Sequence, residues 1–499
     1  MSYVLGIDTS TTATKAILVA EDGAVAGVAA ATYGFEIPHP LWSEQDPELW
    51  PEATGEATRH VLAETGVDPK DIAAVGLTGQ MHGMVVLDGD NRPLRPAILW
   101  NDQRTAAECD EIRERVGVQH LIEVTGNDAI PGFTAPKILW TRNHEPDVFE
   151  HTRTVLLPKD FVRYKLTGGL ATDRAGAAGT LLFDHRERDW SAEIVETLEI
   201  PSSWLPQTHE GPDITGPVGA HGASLTGLVE GTPVVAGGGD QSASAVGTGA
   251  VDPGVVTVSL GTSGVVFAAT DTPVIDPRGR VHAFPHAVPH RWHLMGVMLS
   301  AAGSLQWLRD ALAPDTKFDQ FVALAADVPP GADGLVFLPY LSGERTPHVD
   351  PLARGAFVGL TTRHGLAHMV RAVLEGVAYG LRDGLDLMEA AGVEHPAEVR
   401  ISGGGARSSL WRTIVATVLE TEVTTVTTTE GAAYGAALLA AVGAGWFSSA
   451  AEGAAAWIHI TGRTAVDDHS IERYRAGHRI YRDLYPALKP SFEDLSGRG

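Results

Sequence analysis

A lone carboxylate, Asp240, follows a glycine run near the middle of the chain, in the segment GGGDQ at 237–241. The apolar residues 233–236 before it predict a short buried strand, and the small residues after it predict a closely packed helix. A carboxylate at such a turn can cap the helix, or it can act as a base toward a ligand in front of the turn. Its place between two halves of the chain favours a base, and this role needs no large pKa shift because an ionised carboxylate at neutral pH can already accept a proton.

A second candidate loop follows the first predicted strand, which covers residues 3–7. The loop carries one carboxylate, Asp8, one cation, Lys15, and several hydroxyl residues between them. Backbone amides and hydroxyls in such a loop can bind phosphate oxygens, while the carboxylate faces a hydrated Mg²⁺. An ordinary polar hairpin fits the same residues. A Walker A loop is excluded, because no lysine in the sequence follows a glycine.

Two more polar segments follow predicted strands. His82 lies in TGQMHG (78–83), at the end of the strand predicted over 72–77, where its ring can contact a ligand or serve as a structural histidine. Farther along, a helix is predicted to start near Trp100. Asn101 or Asp102 can cap that helix or reach a substrate, and the residue types do not choose between these roles.

The second half of the chain repeats the organisation of the first. A strand predicted over 255–260 leads into the turn Gly261-Thr262-Ser263-Gly264 and a returning strand, roughly 250 residues after Asp8. Two such hairpins, facing each other, can hold a polyphosphate from both sides. The histidine run at 282–293 is interrupted by prolines and has no helical spacing, so we expect structural or surface histidines there.

The composition limits the class of protein. A chain of 499 residues is too long for one core and predicts at least two domains. The net charge of −25 argues against nucleic acid or an anionic membrane as a partner. One cysteine, Cys109, excludes an internal disulfide, and the sequence shows neither a signal peptide nor a membrane span. We therefore expect a cytoplasmic α/β protein.

Several motifs taken together give the chain a family resemblance. In order along the sequence they are GIDTSTTATK (6–15), GQMHG (79–83), GFTAPKILW (132–140), GGGDQ (237–241), SLGTSG (259–264), GAFVGLTTRHGLAHMVRAVLE (355–375) and SGGGARSSLWR (402–412). This set resembles the FGGY carbohydrate kinases over essentially the whole length of the chain. Thr141, after the third motif, stands where the family usually has an apolar residue.

The resemblance implies an α/β fold with two ribonuclease-H-like domains of the actin/hexokinase-like ATPase type around a central cleft. It places an N-terminal, sugar-binding domain at 1–245, an ATP-binding domain at 246–485 and a polar tail at 486–499. ATP and Mg²⁺ are the implied cofactors and a small sugar the implied substrate. A homodimer is a further expectation.

The resemblance also implies roles for single residues. Asp240 corresponds to the catalytic base, and Asp8 to the carboxylate that holds Mg²⁺ through water. The expected sugar contacts are Met81, His82, Asp102, Asp240 and Gln241. The expected ATP contacts are Thr11, Thr12, Lys15, Thr262, Gly303, Gln306, Gly404 and Ser408.

The pair Met81–His82 is typical of family members that phosphorylate D-xylulose, whereas members acting on glycerol carry an Arg-Glu pair there. Another ketose, a pentitol or glycerol remains an alternative substrate. A protein of another class, an actin- or chaperone-like ATP switch, shares the fold but transfers no phosphoryl group to a sugar. An α/β-hydrolase is excluded, because the sequence has no G-x-S-x-G elbow.

Overall fold

A computed structural model of the chain describes residues 1–428 and 430–496 and shows two large mixed β-sheets with helices packed on them. The strands are β1 (Tyr3–Thr9), β2 (Ala13–Ala20), β3 (Val25–Thr32), β4 (Glu44–Gln45), β5 (Ile72–Gly79), β6 (Val85–Leu87), β7 (Ala97–Ile98), β8 (Thr154–Leu156), β9 (Ala171–Asp173), β10 (Phe183–Asp184), β11 (Asp189–Trp190), β12 (Gln207–His209), β13 (Ile214–Pro217), β14 (Pro233–Val235), β15 (Gly238–Gly239), β16 (Val255–Leu260), β17 (Gly264–Thr270), β18 (His282–Pro285), β19 (Trp292–Met298), β20 (Val336–Leu338), β21 (Ala356–Val358), β22 (Glu398–Ser402), β23 (Val423–Val426) and β24 (Ile460–Thr464). 

The helices frame these sheets and fill the insertions between strands. They are α1 (Leu49–Thr65), α2 (Ala106–Val116), α3 (Val118–Thr125), α4 (Thr134–His144), α5 (Pro146–His151), α6 (Pro158–Thr167), α7 (Arg174–Ala178), α8 (Ala192–Thr197), α9 (Ala220–Thr226), α10 (Asp240–Thr248), α11 (Ala302–Leu312), α12 (Phe318–Ala323), α13 (Leu366–Ala391), α14 (Ser409–Leu419), α15 (Gly431–Gly443), α16 (Ala450–Trp457) and α17 (Ile471–Ser496). None of the helices in the described parts of the chain combines the length and the apolar character of a membrane span.

The two large sheets share one plan. In the N-terminal sheet, β1 pairs antiparallel with β2 and parallel with β5, in the order β13-β14-β5-β1-β2-β3. In the C-terminal sheet, β16 pairs antiparallel with β17 and parallel with β22, in the order β18-β19-β17-β16-β22-β23-β24. The strand–loop–strand repeat seen in the sequence is therefore a repeat of the central hairpin of each sheet.

Two helices made of small residues join the halves. α10 begins at Asp240 and packs against α15, while α15 also lies directly on β1 and β5 of the N-terminal sheet. A Cβ added to Gly435 would lie 1.8 Å from the backbone oxygen of Ala243, and one added to Gly6 would lie 2.0 Å from that of Ala433. The backbones therefore approach closely only because these positions are glycine.

This contact predicts a stability effect. Gly435→Ala is expected to lower the free energy of unfolding by about 1–3 kcal/mol, because a backbone oxygen cannot move aside as a flexible side chain can. The measurement is denaturant unfolding, with Gly34→Ala as the control, since a Cβ there meets nothing within 4 Å. Equal stability of the two variants would contradict the close packing.

The structure corrects two sequence expectations. The proposed polar tail at 486–499 is largely helical, because α17 continues through Pro486 and Pro490 to Ser496, and Phe492 is buried against the C-terminal core; residues 497–499 lie outside the described residues. The helix expected near Trp100 begins only at Ala106. Apolar contact overrides local composition in the first case.

Candidate functional site

Three loops of the N-terminal sheet meet at one edge. Asp8 lies opposite Thr78 in the parallel pairing of β1 with β5, and Thr78 lies opposite Gly238 in the pairing of β5 with β15. Since parallel strands end at the same edge of a sheet, the loops after them converge there. The edge therefore brings together Asp8, the segment around His82 and the start of α10 at Asp240.

Asp240 is the first residue of α10, and its Oδ1 accepts a hydrogen bond from the backbone amide of Gln241 at 2.8 Å. Burial, reinforced by the negative charge of Asp8, raises the pKa of Asp240 to about 7. The sequence argument required no large shift for this role; burial, and after it the second carboxylate, nevertheless produce one. The carboxyl group is thus poised to bind or release a proton near neutral pH.

Asp8 is the second carboxylate at this edge. Its Oδ1 is buried and has no hydrogen-bond partner among the described residues. Burial raises its pKa to about 6, while Lys15 lowers it and Glu430 raises it. Lys15, expected at the phosphates, is paired with Glu430 at 2.6 Å, so it also joins the first hairpin to the C-terminal half. A buried, unpartnered carboxylate oxygen beside a second acid fits a hydrated divalent cation.

The Mg²⁺ assignment gives a direct prediction. Asp8→Asn is expected to raise the Mg²⁺ concentration for half-maximal activity by roughly 10–100-fold, because the amide oxygen carries no full charge to hold the hydrated ion. The measurement is activity against total Mg²⁺ at saturating ATP. Asp22→Asn, in the turn after β2 where Asp22 bonds only the amide of Ala24, is the matched control. An unchanged Mg²⁺ titration in Asp8→Asn would make Asp8 a turn residue.

His82 is held in a fixed tautomer next to this edge. Its Nδ1 lies 2.7 Å from the carbonyl oxygen of Gly179, so Nδ1 carries the proton and donates it. Burial lowers the pKa of the ring to about 3, so the ring is neutral. Nε2, which has no protein partner among the described residues, is left as an acceptor. The sequence allowed donor and acceptor roles toward a ligand, and the structure leaves only the acceptor.

The backbone of His82 is as constrained as its ring. Its φ is +67°, which is unusual for a residue other than glycine. Its carbonyl oxygen accepts hydrogen bonds from Lys137 Nζ at 2.8 Å and from Thr134 Oγ1 at 3.1 Å, both from α4. Phe133 packs edge-on against the ring at 4.9 Å. Sequence reasoning missed these supporting roles, although all three residues lie in the GFTAPKILW motif.

Met81 forms the apolar wall beside His82. It is buried, and its side chain lies so close to Gly239 that a Cβ there would be 2.6 Å from Met81 Cγ. The methionine thus connects the histidine to the peptide immediately before Asp240. Gln241 follows Asp240 and is partly buried.

The hydroxyl loop after β1 has protein contacts of its own. Thr11 Oγ1 accepts a hydrogen bond from Trp100 Nε1 at 2.9 Å, and the Thr11 carbonyl accepts one from Gln45 at 3.0 Å. Thr12 is exposed. The role of Trp100 as an anchor of this loop had no signal in the sequence.

Asp102 does not fit its expected place among the sugar contacts. Its side chain is fully buried, binds Arg104 through both oxygens and accepts the amide of Ser43 at 2.6 Å. It does not cap a helix either, since α2 begins four residues later. The ion pair with Arg104 explains why this carboxylate is buried, so we interpret Asp102 as a residue that positions the loop.

The other expected ATP-binding residues, those of the second half, lie near the matching edge of the C-terminal sheet. β16 and β22 are parallel neighbours with Ser259 opposite Ser402, so the loops after them adjoin. The carbonyl of Thr262 accepts the amides of Ala301 and Gly303 at the start of α11, and Gln306 is exposed one turn later. Gly404 borders open space, which leaves room for a flat ring, whereas Ser408 caps α14 through the amide of Trp411.

Three histidines of the run lie in the interior, whereas His290 is exposed. His293 packs against the rings of both Phe267 and Phe284, His286 against Phe267 and His282 against Phe284. His286 bonds Ser242 of α10 and the carbonyl of Ala250. These contacts give His286 a structural role behind Asp240.

The chain matches one protein family over most of its length. The model of the N-terminal domain of the FGGY family of carbohydrate kinases matches residues 3–247, and that of the C-terminal domain matches residues 256–444. The chain is 46% identical over 414 residues to xylulose kinase of Escherichia coli strain K12, covering 83% of this chain and 84% of the relative. It is 38% identical over 489 residues to xylulose kinase of Bacillus subtilis strain 168, covering 98% of both.

A solved structure agrees with these matches. The crystal structure of xylulose kinase from Rhodospirillum rubrum superposes with a TM-score of 0.91 at 34% identity, covering 98% of this chain and all of that one. The similarity extends over both sheets and the helices between them.

Proposed function

The chain belongs to the FGGY family of carbohydrate kinases, and from this premise we propose that it transfers the γ-phosphoryl group of ATP to the 5-hydroxyl of D-xylulose. The observation that carries the proposal is the convergence of Asp240, Asp8 and His82 at one sheet edge, facing the C-terminal half. The transfer needs alignment of the two reactants and neutralisation of charge more than covalent chemistry.

Asp240 acts as the general base in this proposal. It accepts the proton of the sugar hydroxyl as the oxygen attacks the γ-phosphorus, and a pKa of about 7 suits a base that works near neutral pH. The helix start at α10 holds the carboxyl group in place, and its packing on α15 fixes that helix to both halves.

Asp8 would hold a hydrated Mg²⁺, and the ion would supply neutralisation of charge on the ATP phosphates. Thr11 and Thr12 on one side and Thr262 on the other offer hydroxyl and amide donors to those oxygens. Gly303, Gln306 and the open backbone at Gly404 receive the adenosine. Lys15 acts through its ion pair with Glu430, which links the first hairpin to the start of α15 in the C-terminal half.

Sugar recognition uses a neutral site. The acceptor Nε2 of His82 takes a hydrogen bond from a sugar hydroxyl, while Met81 packs against the carbon chain. Asp240 and Gln241 contact the end that is phosphorylated. This pattern suits a polyhydroxylated, uncharged substrate.

A sister kinase for another ketose, a pentitol or glycerol is the nearest rival, and an actin- or chaperone-like switch is the more distant one. The family match favours a carbohydrate kinase over the switch. The neutral pair Met81–His82, with its single acceptor, favours a ketopentose over glycerol.

The test is a coupled ADP-release assay of the purified protein with D-xylulose, L-ribulose, xylitol, D-arabinitol and glycerol. We expect the highest kcat/KM for D-xylulose. A higher kcat/KM for any other compound would make that compound the substrate in place of D-xylulose. ATP hydrolysis unaffected by all five compounds would support the ATP switch.

A further inference from the structure

Arg345 is a partly buried arginine in the loop between β20 and β21, and its guanidinium has no carboxylate partner among residues 1–428 and 430–496. Its Nη1 lies 3.4 Å from His282 Nε2, a long contact. Arginines that are more fully buried face acids at ion-pair distance, as in the pairs Arg104–Asp102, Arg163–Asp160, Arg188–Glu210 and Arg371–Glu375. A partly buried cation without an ion-pair partner is also costly, which points to a ligand.

The adjacent acid, Glu344, makes no ion pair at contact distance with this arginine. Glu344 Oε1 accepts the backbone amides of Leu299 at 2.9 Å and of Arg345 itself at 2.8 Å. Burial raises the pKa of Glu344 to about 8, so at neutral pH the group is mostly uncharged. With no ion pair to occupy it, the guanidinium leaves most of its donors for another partner.

The loop that carries Arg345 is fixed to the C-terminal sheet. The amide of Thr346 donates to the carbonyl of Val297 in β19 at 2.9 Å, and the amide of Val297 donates back to Thr346 Oγ1 at 3.0 Å. Thr346 Oγ1 also donates to the carbonyl of Arg280 at 2.9 Å. Arg345 thus has a firm base rather than a free surface loop.

A chain of contacts leads from Arg345 to the sugar-binding histidine. Asn127 Nδ2 donates to the carbonyl of Ala283, so Asn127 Oδ1 is turned toward His282 Nδ1 at 2.9 Å. Oδ1 can only accept, so Nδ1 carries the proton of the His282 ring. His282 Nε2 is then an acceptor toward Arg345. The His282 ring packs against Phe133 at 5.6 Å, and Phe133 packs against His82 at 4.9 Å.

The two ends of this chain are chemically complementary. His82 offers only an acceptor, Nε2, whereas a guanidinium offers only donors. A ketose presents hydroxyl groups that can donate and oxygens that accept, and its carbonyl oxygen can only accept. Burial is the main cause of the lowered pKa of His82, and the positive charge of Arg345 makes a smaller contribution, which agrees with the short path between them.

We propose that Arg345, supplied by the C-terminal half, is a sugar-binding residue that donates hydrogen bonds to an oxygen of the ketose bound beside His82. The inference rests on the proposed kinase function and extends it, since the site described above takes its sugar contacts from the N-terminal half alone. Sugar binding would then connect the two halves directly and favour closure of the cleft.

The experiment compares Arg345→Met and Arg345→Lys with Arg354→Met, a control in the same loop whose guanidinium bonds loop carbonyls and Ser496. For each purified protein the KM for D-xylulose, the KM for ATP, kcat, inhibition by xylulose 5-phosphate and the melting temperature are measured. Arg345→Met is expected to raise the sugar KM about tenfold or more, with the ATP KM nearly unchanged, because a charge-assisted hydrogen bond is lost. Arg345→Lys keeps the charge but loses the planar set of guanidinium donors, so its sugar KM is expected to lie between those of the unmutated enzyme and Arg345→Met.

Three results would overturn the proposal. One is an unchanged sugar KM in either folded variant. Another is a parallel rise of both KM values with a lower melting temperature, which is the effect of a structural residue. The third is weaker inhibition by xylulose 5-phosphate at an unchanged sugar KM, which would indicate that Arg345 binds the phosphate group of the product. Failure of the unmutated enzyme to phosphorylate D-xylulose would instead reject the proposed function, so the two failures are distinguishable.

Discussion

Asp240→Asn is expected to lower kcat for D-xylulose phosphorylation by roughly 10²–10⁴-fold, because an amide cannot accept the proton of the attacking hydroxyl. The side chain keeps its size, and the amide of Gln241 still finds an oxygen to bond. The fold and ATP binding should therefore persist. The measurement is the steady-state rate at saturating ATP and sugar, together with ATP affinity measured by calorimetry.

Asp252→Asn is the matched control, since Asp252 lies shortly after the same helix and pairs with Arg291. It should retain turnover close to that of the unmutated enzyme. Turnover of that order in Asp240→Asn would remove Asp240 as the base. A loss of ATP binding along with turnover would instead indicate a damaged fold.

The raised pKa of Asp240 adds a pH dependence with a defined sign. A base protonated below about pH 7 makes kcat/KM fall as the pH drops through that value. For stability, the folded state holds this proton more tightly than the unfolded state, so the contribution of the carboxyl group is lost as the pH rises from about 4 to about 7. Thermal unfolding of Asp240→Asn between these values should lack that part of the decline shown by the unmutated protein.

His82→Asn is the second large effect we expect, with kcat/KM for D-xylulose lowered by on the order of 10²-fold and the KM for ATP little changed. Asparagine tolerates the left-handed backbone that His82 adopts, so the change removes the ring without the strain that alanine would add. The shorter side chain cannot place an acceptor where Nε2 lies. The measurement is kcat/KM for D-xylulose, L-ribulose and glycerol.

His60→Asn serves as its control, because His60 is an exposed residue on α1. If His82→Asn weakens the use of ATP and of D-xylulose to a similar extent, or of neither, His82 does not bind the sugar specifically. If glycerol or L-ribulose is already preferred by the unmutated enzyme, the xylulose assignment fails while the kinase family remains.

The sequence by itself determined the repeated hairpins, the strand–glycine–helix unit at Asp240 and the family. These features depend on local patterns: alternating apolar residues for strands, glycines at turns and small residues at a helix start. The observed pairs β1–β2 and β16–β17 confirm the two central hairpins, and α10 begins at Asp240 itself.

Only the tertiary structure decided the pKa values of the site residues and the side chains with which they pair. The pKa of Asp240 is raised by burial and then by Asp8, which lies 232 residues away in the sequence but at the same sheet edge. Asp102 was expected to contact the sugar, but its carboxylate is bound by Arg104 and by the amide of Ser43. The expected tail is helical because Phe492 packs into the C-terminal core. Burial and pairing are properties of contacts between distant segments, so the tautomer of His82 and the unpaired charge of Arg345 exist only in the folded chain.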